Sequence, residues 1–94
     1  MVTVAVGRPY PDHDATTVEA WQQVQAEWVD WADVTTTQDG VYIRALLDPA
    51  DVRDPYPQVV AYDGQLYLED GHTRMCRSIL HGYHGGLCRV LRLT

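Results

Sequence analysis

The sequence predicts an α+β fold, in which a small mixed β-sheet packs against two main helices. Hydrophobic runs of strand length are separated by three Asp-Gly pairs, a dipeptide that favours tight hairpin turns. Two other segments carry apolar residues at three-and-four spacing, which is typical of amphipathic helices. Because the chain has 94 residues and 46% of them are hydrophobic, we expect a single domain over residues 1–94 with its own core.

Residues 1–40 are predicted to form a strand followed by a tryptophan-rich helix. Valine alternates with small residues in Val2–Val6, which indicates a strand. Thr16 and Glu19 resemble a capping box and predict a helix that runs to about Trp31. Five apolar residues fall on one face of this helix: Val18, Trp21, Val24, Trp28 and Trp31. This face either packs on the sheet or presents its three tryptophans as a partner surface, where this residue type is enriched.

Two hairpins are expected in the middle of the chain. Val34–Gln38 and Val41–Leu46 flank the first Asp-Gly pair. Val59–Tyr62 and Gln65–Glu69 flank the second pair, Asp63-Gly64. Both hairpins would contribute antiparallel strands to the sheet.

The third Asp-Gly pair, Asp70-Gly71, precedes helical periodicity instead of another strand. A second helix is predicted from His72 to His81, Gly82 is suited to end it, and a last strand is expected over Leu87–Leu93. The buried side of this helix is predicted to contain Met75, Cys76, Ile79, Leu80 and Tyr83.

Composition and charge narrow the function classes. A net charge of −6 argues against a general nucleic-acid coat, which needs basic side chains to displace counterions. Residues 1–70 contain thirteen acids and three arginines, whereas residues 71–94 contain four arginines and no acid. The basic segment faces either an anionic partner or the acidic part of the fold itself. The sequence has no Lys, Asn or Phe, whose codons are AT-rich, which indicates a GC-rich bacterial or phage genome.

No sequence feature indicates export or membrane insertion. The N-terminal residues lack a basic segment followed by a long apolar stretch, and no run has the length of a membrane span. Two cysteines do not make a disulfide framework. We therefore expect a cytoplasmic protein with reduced cysteines and no membrane partner.

The start of the second helix has the features of an anion site. Glycine permits a sharp turn, the first helical N–H groups lack internal partners, and arginine adds a forked cation. We therefore assign phosphate or nucleotide binding to Gly71, His72, Thr73, Arg74 and Arg77. In the alternative interpretation, Arg74 pairs with Glu69 or Asp70 and only fixes the turn.

Several side chains near the second helix suit either a catalytic or metal-binding role or a purely structural one. His72 is a candidate general acid or base, or a residue that only hydrogen-bonds locally. Asp70 or Glu69 is a candidate magnesium ligand, while Asp70 also suits a helix cap. Cys76, His81, His84 and Cys88 are zinc-ligand types, but their spacing matches no standard finger. Buried cysteines and exposed loop histidines explain the same four residues.

The order of elements in residues 41–94 resembles the core of the ParB/sulfiredoxin superfamily. The resemblance depends on the hairpin around Asp63-Gly64, the motif Asp70-Gly71-His72-Thr73-Arg74, the helix to His81, and the strand Cys88–Leu93. Residues 1–40, with the tryptophan helix, have no counterpart in that core and form an N-terminal extension. Relatives bind CTP in chromosome partition, transfer phosphate from ATP, or include nucleases, so the resemblance implies a phosphate or nucleotide site at Gly71–Arg74.

Three departures from the superfamily pattern bear on activity. Arg77 occupies a position that usually holds a small alanine. Sulfiredoxins place a reactive cysteine where this chain has His72, which disfavours sulfinic-acid reduction. Partition proteins carry a further helical DNA-binding domain, and since the sequence ends at Thr94 we expect no specific DNA reading by this chain alone.

Two functions follow from the residues and the resemblance together. The favoured hypothesis is a ParB-like phosphate-binding module that acts without catalysis as a regulatory or interaction protein, phage-encoded and in contact with a host or DNA-processing protein. The alternative is an enzyme, namely a nucleotide hydrolase, phosphotransferase or nuclease. It would use His72, Arg74 and a carboxylate with magnesium, and its cofactor would be a nucleoside triphosphate.

Overall fold

The computed structural model describes residues 3–4, 9–36 and 54–93, with residues 3–4 described by their backbone alone. The strands are β1 (Thr3–Val4), β2 (Ala26–Asp30), β3 (Val34–Thr36), β4 (Gln58–Tyr62), β5 (Gln65–Asp70) and β6 (Gly85–Arg92). The helices are α1 (Val18–Gln22) and α2 (His72–Leu80), and a 3₁₀ turn covers Trp31–Asp33. The prediction of an α+β fold with a mixed sheet and two helices is confirmed.

The described strands form one sheet in the order β1-β3-β5-β4-β6-β2. β4 pairs antiparallel with β5 and parallel with β6, while β2 pairs antiparallel with β6. β3 pairs in parallel with both β1 and β5. Strands that are distant in sequence therefore become neighbours, and β2 lies at one edge of the described sheet.

The predicted long tryptophan helix is wrong. Helix α1 has only five residues, and its N-cap is Thr17, whose hydroxyl accepts the Ala20 N–H at 3.1 Å. The chain then turns, and the residues that were assigned to the rest of the helix form β2 instead. Antiparallel pairing with β6 gives this segment backbone partners on one side along its whole length, which outweighs its helical spacing of apolar residues.

The hairpin around Asp63-Gly64 is confirmed. Both turn residues have positive φ, 51° at Asp63 and 74° at Gly64, the backbone signature of the tight turns that Asp-Gly favours. Of the other predicted hairpin, β3 covers Val34–Thr36, whereas Val41–Leu46 lies outside the described residues.

The sheet has an apolar cluster on each face. On the face covered by α2, the buried residues are Val29, Trp31, Val34, Val59, Leu68, Met75, Cys88 and Val90. On the face covered by α1 and the preceding segment, they are Tyr10, Ala15, Trp21 and Val60. Neighbouring residues Val59 and Val60 belong to different clusters because successive side chains of a strand point to opposite faces.

Helix α2 begins and ends close to where the sequence predicts. Met75 is buried against the sheet, and Gly82 follows the helix with a φ of 86°. The predicted burial of Ile79, Leu80 and Tyr83 is wrong, since all three are exposed. The helix ends at Leu80, and its buried residues, His72 and Met75, both lie in its first half. Among the described residues, no helix has the length and apolar character needed to cross a membrane.

Candidate functional site

The turn before α2 is closely packed against the loop that precedes β4. Gly71 is the N-cap of the helix and has a φ of 98°, a left-handed conformation that glycine adopts without strain. A Cβ added there would lie 2.8 Å from both Cα and Cβ of Pro57. Pro57 therefore packs against one side of the turn at which we predicted phosphate binding.

Arg74 is also engaged by the same loop. Its guanidinium donates a hydrogen bond to the backbone oxygen of Asp54. Thr73 and Arg77 are both half-buried on α2. These contacts give Gly71 and Arg74 a role in joining α2 to the loop before β4, while their assignment to phosphate binding stays a prediction.

Substituting Gly71 by alanine is expected to destabilise the fold. The change combines a positive φ with a Cβ inside the contact distance of Pro57, which together cost about 2–4 kcal/mol. The matched control is Gly64→Ala, where φ is also positive but nothing lies within 4 Å of the added Cβ. Urea unfolding should give a clearly larger loss for Gly71→Ala; equal losses would contradict the close packing.

His72 is buried at the first position of α2 with an exposed fraction of 6%, and its Nε2 has no hydrogen-bond partner. Burial lowers the pKa of His72 because it penalises the charged imidazolium, and the nearby charge of Asp70 acts in the opposite direction. The neutral ring is therefore the form that the fold favours. A buried, neutral imidazole is better suited to a structural role than to acting as a general acid, which must reach the substrate.

His72 should make the protein less stable in mild acid. Below the ordinary histidine pKa of about 6.5 the unfolded chain takes up a proton that the folded chain excludes, so stability falls as the pH is lowered from there. His72→Leu should flatten this dependence between about pH 6.5 and 5. At pH 7 the variant should remain within about 1 kcal/mol of the wild type, because the lost Nε2 has no hydrogen-bond partner. Urea unfolding of both proteins at several pH values tests this; parallel pH profiles would contradict it.

An ion pair between Asp54 and Arg89 joins the segment before β4 to β6. Arg89 donates from Nε to Asp54 Oδ2 at 2.9 Å and from Nη1 to the Val24 oxygen at 2.7 Å. Its guanidinium also lies 5.0 Å from the ring centroid of Tyr56. The sequence placed Arg89 only in a basic segment, and Asp54 lies 35 residues away, so their pairing has no local signal.

A second buried polar cluster holds the segment before α1 on the sheet. Tyr10 donates to Glu69 Oε1 at 2.9 Å, and His13 Nε2 lies 2.7 Å from the same oxygen. The Ala15 N–H donates to His13 Nδ1, so the ring proton is on Nε2 and points to the carboxylate. Sequence analysis missed this cluster because Tyr10 and His13 lie in a proline-broken loop with no regular spacing to Glu69.

The arrangement of the described residues does not support the predicted metal sites. In the described parts of the chain, no group of three or more His, Cys, Asp or Glu side chains is arranged to hold an ion. Of the four zinc-ligand types, Cys88 is fully buried in the core, and burial raises the pKa of its thiol to about 12. Asp70, the candidate magnesium ligand, is exposed at the end of β5.

The three tryptophans have different environments. Trp21 and Trp31 are core residues with exposed fractions of 2% and 5%, so they cannot present their rings to a partner as the sequence suggested. Trp28 is 63% exposed, and its cross-strand neighbour Leu87 is exposed as well. We call Trp28 and Leu87 the edge patch, because they lie on adjacent strands at the β2 edge.

The fold and these contacts define a small α+β protein whose polar clusters are structural and whose apolar edge patch is open. The chain belongs to the family described as Antitoxin VapB-like, which it matches over residues 1–94. No curated protein and no solved structure matches the chain.

The family match corrects the resemblance drawn from the sequence. The chain is not identified as a ParB/sulfiredoxin-like domain, and the functions taken from that superfamily, a nucleotide-phosphate module or an enzyme, are overturned. The motif from Asp70 to Arg74 is short, and a hairpin followed by a helix and a strand is a common order of elements. Two of its residues, Gly71 and Arg74, contact Pro57 and Asp54 in the loop before β4.

Proposed function

We propose that the protein is an antitoxin that binds and neutralises a partner toxin protein. The observation that carries the proposal is the match to the Antitoxin VapB-like family over the whole sequence. A match of that extent favours one functional module over residues 1–94. It also agrees with the expectation of a regulatory protein that acts through a protein partner.

The surface of the protein supports a binding role. Trp28 is a large, mostly exposed apolar side chain on a regular strand, and exposed aromatic residues are enriched at protein interfaces. Around it, the two polar clusters and the two apolar clusters fix the scaffold. A rigid scaffold lowers the entropy cost of presenting such a residue to a partner.

A growth-rescue screen tests this function. Fragments of the genome that encodes the chain are expressed from an inducible promoter in two hosts, one of which also expresses the chain. We expect at least one fragment to arrest growth only in the host that lacks the chain. The protein encoded by that fragment should then co-elute with the chain in gel filtration.

The control for the screen is the same gene with an early stop codon, which keeps the transcript but removes the protein. Rescue should be lost with this control, because the proposal assigns neutralisation to the folded protein. A library that covers the genome and yields no fragment rescued by the chain would refute the proposed function.

A further inference from the structure

The outer edge of β2 is open within the described part of the chain. The Val90 N–H donates to the Gln25 oxygen, and the Trp31 N–H donates to the His84 oxygen. Gln25 and Trp31, which flank β2, therefore direct their backbone groups towards β6. The pairing between β2 and β6 is continuous from Ala26 to Asp30. Since backbone direction alternates along an antiparallel strand, the polar groups of Ala26, Trp28 and Asp30 point away from β6. They form a row of donors and acceptors that another strand can pair with.

The side chains on β2 add an anchor to this backbone row. Trp28 is central in the strand and pairs with Leu87 across the β2–β6 ladder. A Cβ at Gly85 would lie 2.9 Å from Trp28 Cζ2, so the indole lies across the neighbouring strand and not free in solvent. Its remaining exposed surface is available to a side chain from a strand added beside β2.

The charge along this edge selects the partner. Residues 26–33 contain Glu27, Asp30 and Asp33 and no basic residue. Glu27 is paired with Arg92, whereas Asp30 and Asp33 are exposed and form no ion pair with the described residues. The chain as a whole carries a charge of −6. A segment with lysine or arginine complements this edge, and an acidic segment is repelled by it.

We propose that β2 receives an extended, cationic segment of the partner toxin as an additional strand, with Trp28 as its apolar anchor. This inference rests on the proposed function, because the toxin supplies the added strand. The backbone row gives affinity, Trp28 fixes the register, and the acidic side chains favour a basic sequence. A second copy of this chain is a poorer occupant, since its own β2 brings the same acidic residues to the edge.

Two kinds of variant test the added strand. Ala26→Pro removes an outward N–H at the first residue of β2 and leaves the hydrogen bonds to β6 intact. Trp28→Arg and Trp28→Glu both remove the indole but introduce opposite charges. Because Trp28 is exposed and Ala26 begins an edge strand, all three variants should fold, which retained thermal unfolding and buried-tryptophan fluorescence will verify.

Affinity is measured by titrating each variant with the growth-arresting protein from the screen, produced by cell-free synthesis. We expect Ala26→Pro to raise the Kd about tenfold, for the loss of a backbone hydrogen bond and the local fit around it. Trp28→Arg should raise the Kd about 30-fold or more, as the loss of an anchor residue does. Trp28→Glu should bind more tightly than Trp28→Arg, and this difference should shrink in high salt. Acrylamide quenching of Trp28 should decrease in the complex.

The outcomes separate the two proposals. If the screen yields a partner whose Kd is unchanged in Ala26→Pro and Trp28→Arg, the added strand is refuted and the antitoxin function stands. Tighter binding by Trp28→Arg than by Trp28→Glu would refute a cationic occupant. If gel filtration shows that the wild-type chain alone is a dimer and Ala26→Pro is a monomer, the edge belongs to a second copy and the proposal is also refuted.

Discussion

Replacing Trp31 by alanine is expected to lower the free energy of unfolding by about 3–5 kcal/mol, the usual cost of truncating a buried tryptophan. Trp31 belongs to the apolar cluster beneath α2, and its indole N–H donates to the Ser78 hydroxyl at 3.1 Å. The substitution removes both the packing between the edge of the sheet and α2 and this hydrogen bond. In a domain of this size, the Tm should fall by at least about 12 °C.

The matched control for this prediction is Trp28→Ala, which removes the same side chain from a site with 63% exposure. Its effect on the free energy of unfolding should stay within about 0.5 kcal/mol, the range for exposed substitutions. Urea unfolding followed by circular dichroism measures both variants. Similar losses for Trp28→Ala and Trp31→Ala would contradict the division of the tryptophans into core and surface.

Replacing Asp54 by alanine should destabilise the protein by about 3 kcal/mol, because it leaves the Arg89 guanidinium mostly buried without its carboxylate. The loop before β4 should also loosen, because the lost carboxylate no longer binds Arg89 and only the backbone oxygen of residue 54 still accepts from Arg74. Amide exchange at residues 54–57 should therefore increase more than elsewhere.

A double variant distinguishes the ion pair from simple loss of packing. Asp54→Ala combined with Arg89→Met removes both charges, and it should be more stable than Asp54→Ala alone. Arg89 also donates to the Val24 oxygen and stacks on Tyr56, so some destabilisation should remain. A double variant whose loss equals the sum of the two single losses would contradict the coupling.

The sequence predicts those elements whose signals are local. The hairpin around Asp63-Gly64 depends on a turn that this dipeptide adopts by itself, and α2 depends on a glycine, a helical period and a terminal glycine. Both are present in the structure. The last strand is predicted over Leu87–Leu93 from its apolar run, and the structure has it at Gly85–Arg92.

The predicted helix does not extend to Trp28, because the apolar pattern in this segment is compatible with a helix and with a strand. Spacings of seven and three residues between Trp21, Trp28 and Trp31 suit one helix face, but α1 ends at Gln22 and the segment after it alternates as a strand does. The deciding interaction is the pairing with β6, about sixty residues further along the chain. No local rule contains that information.

The candidate site shows the same limit. The residues from Gly71 to Arg74 have the composition of an anion-binding turn, yet the composition does not reveal that Pro57 and Asp54 pack against them. Long-range contacts also create the Tyr10–Glu69 and Asp54–Arg89 clusters. The sequence identified Trp28 as a candidate partner residue, but its exposure follows from the fold and not from the residue type.

The position of β6 between β4 and β2 has a consequence for how the molecule is made in the cell. While a ribosome is still adding residues 85–92, β2 has no paired strand and β4 is paired only with β5, so the sheet is incomplete. Assembly from such distant segments is slow, and unpaired strands invite proteases and aggregation in the meantime. A chain that stops before residue 85 therefore lacks the strand that joins β2 to the rest of the described sheet.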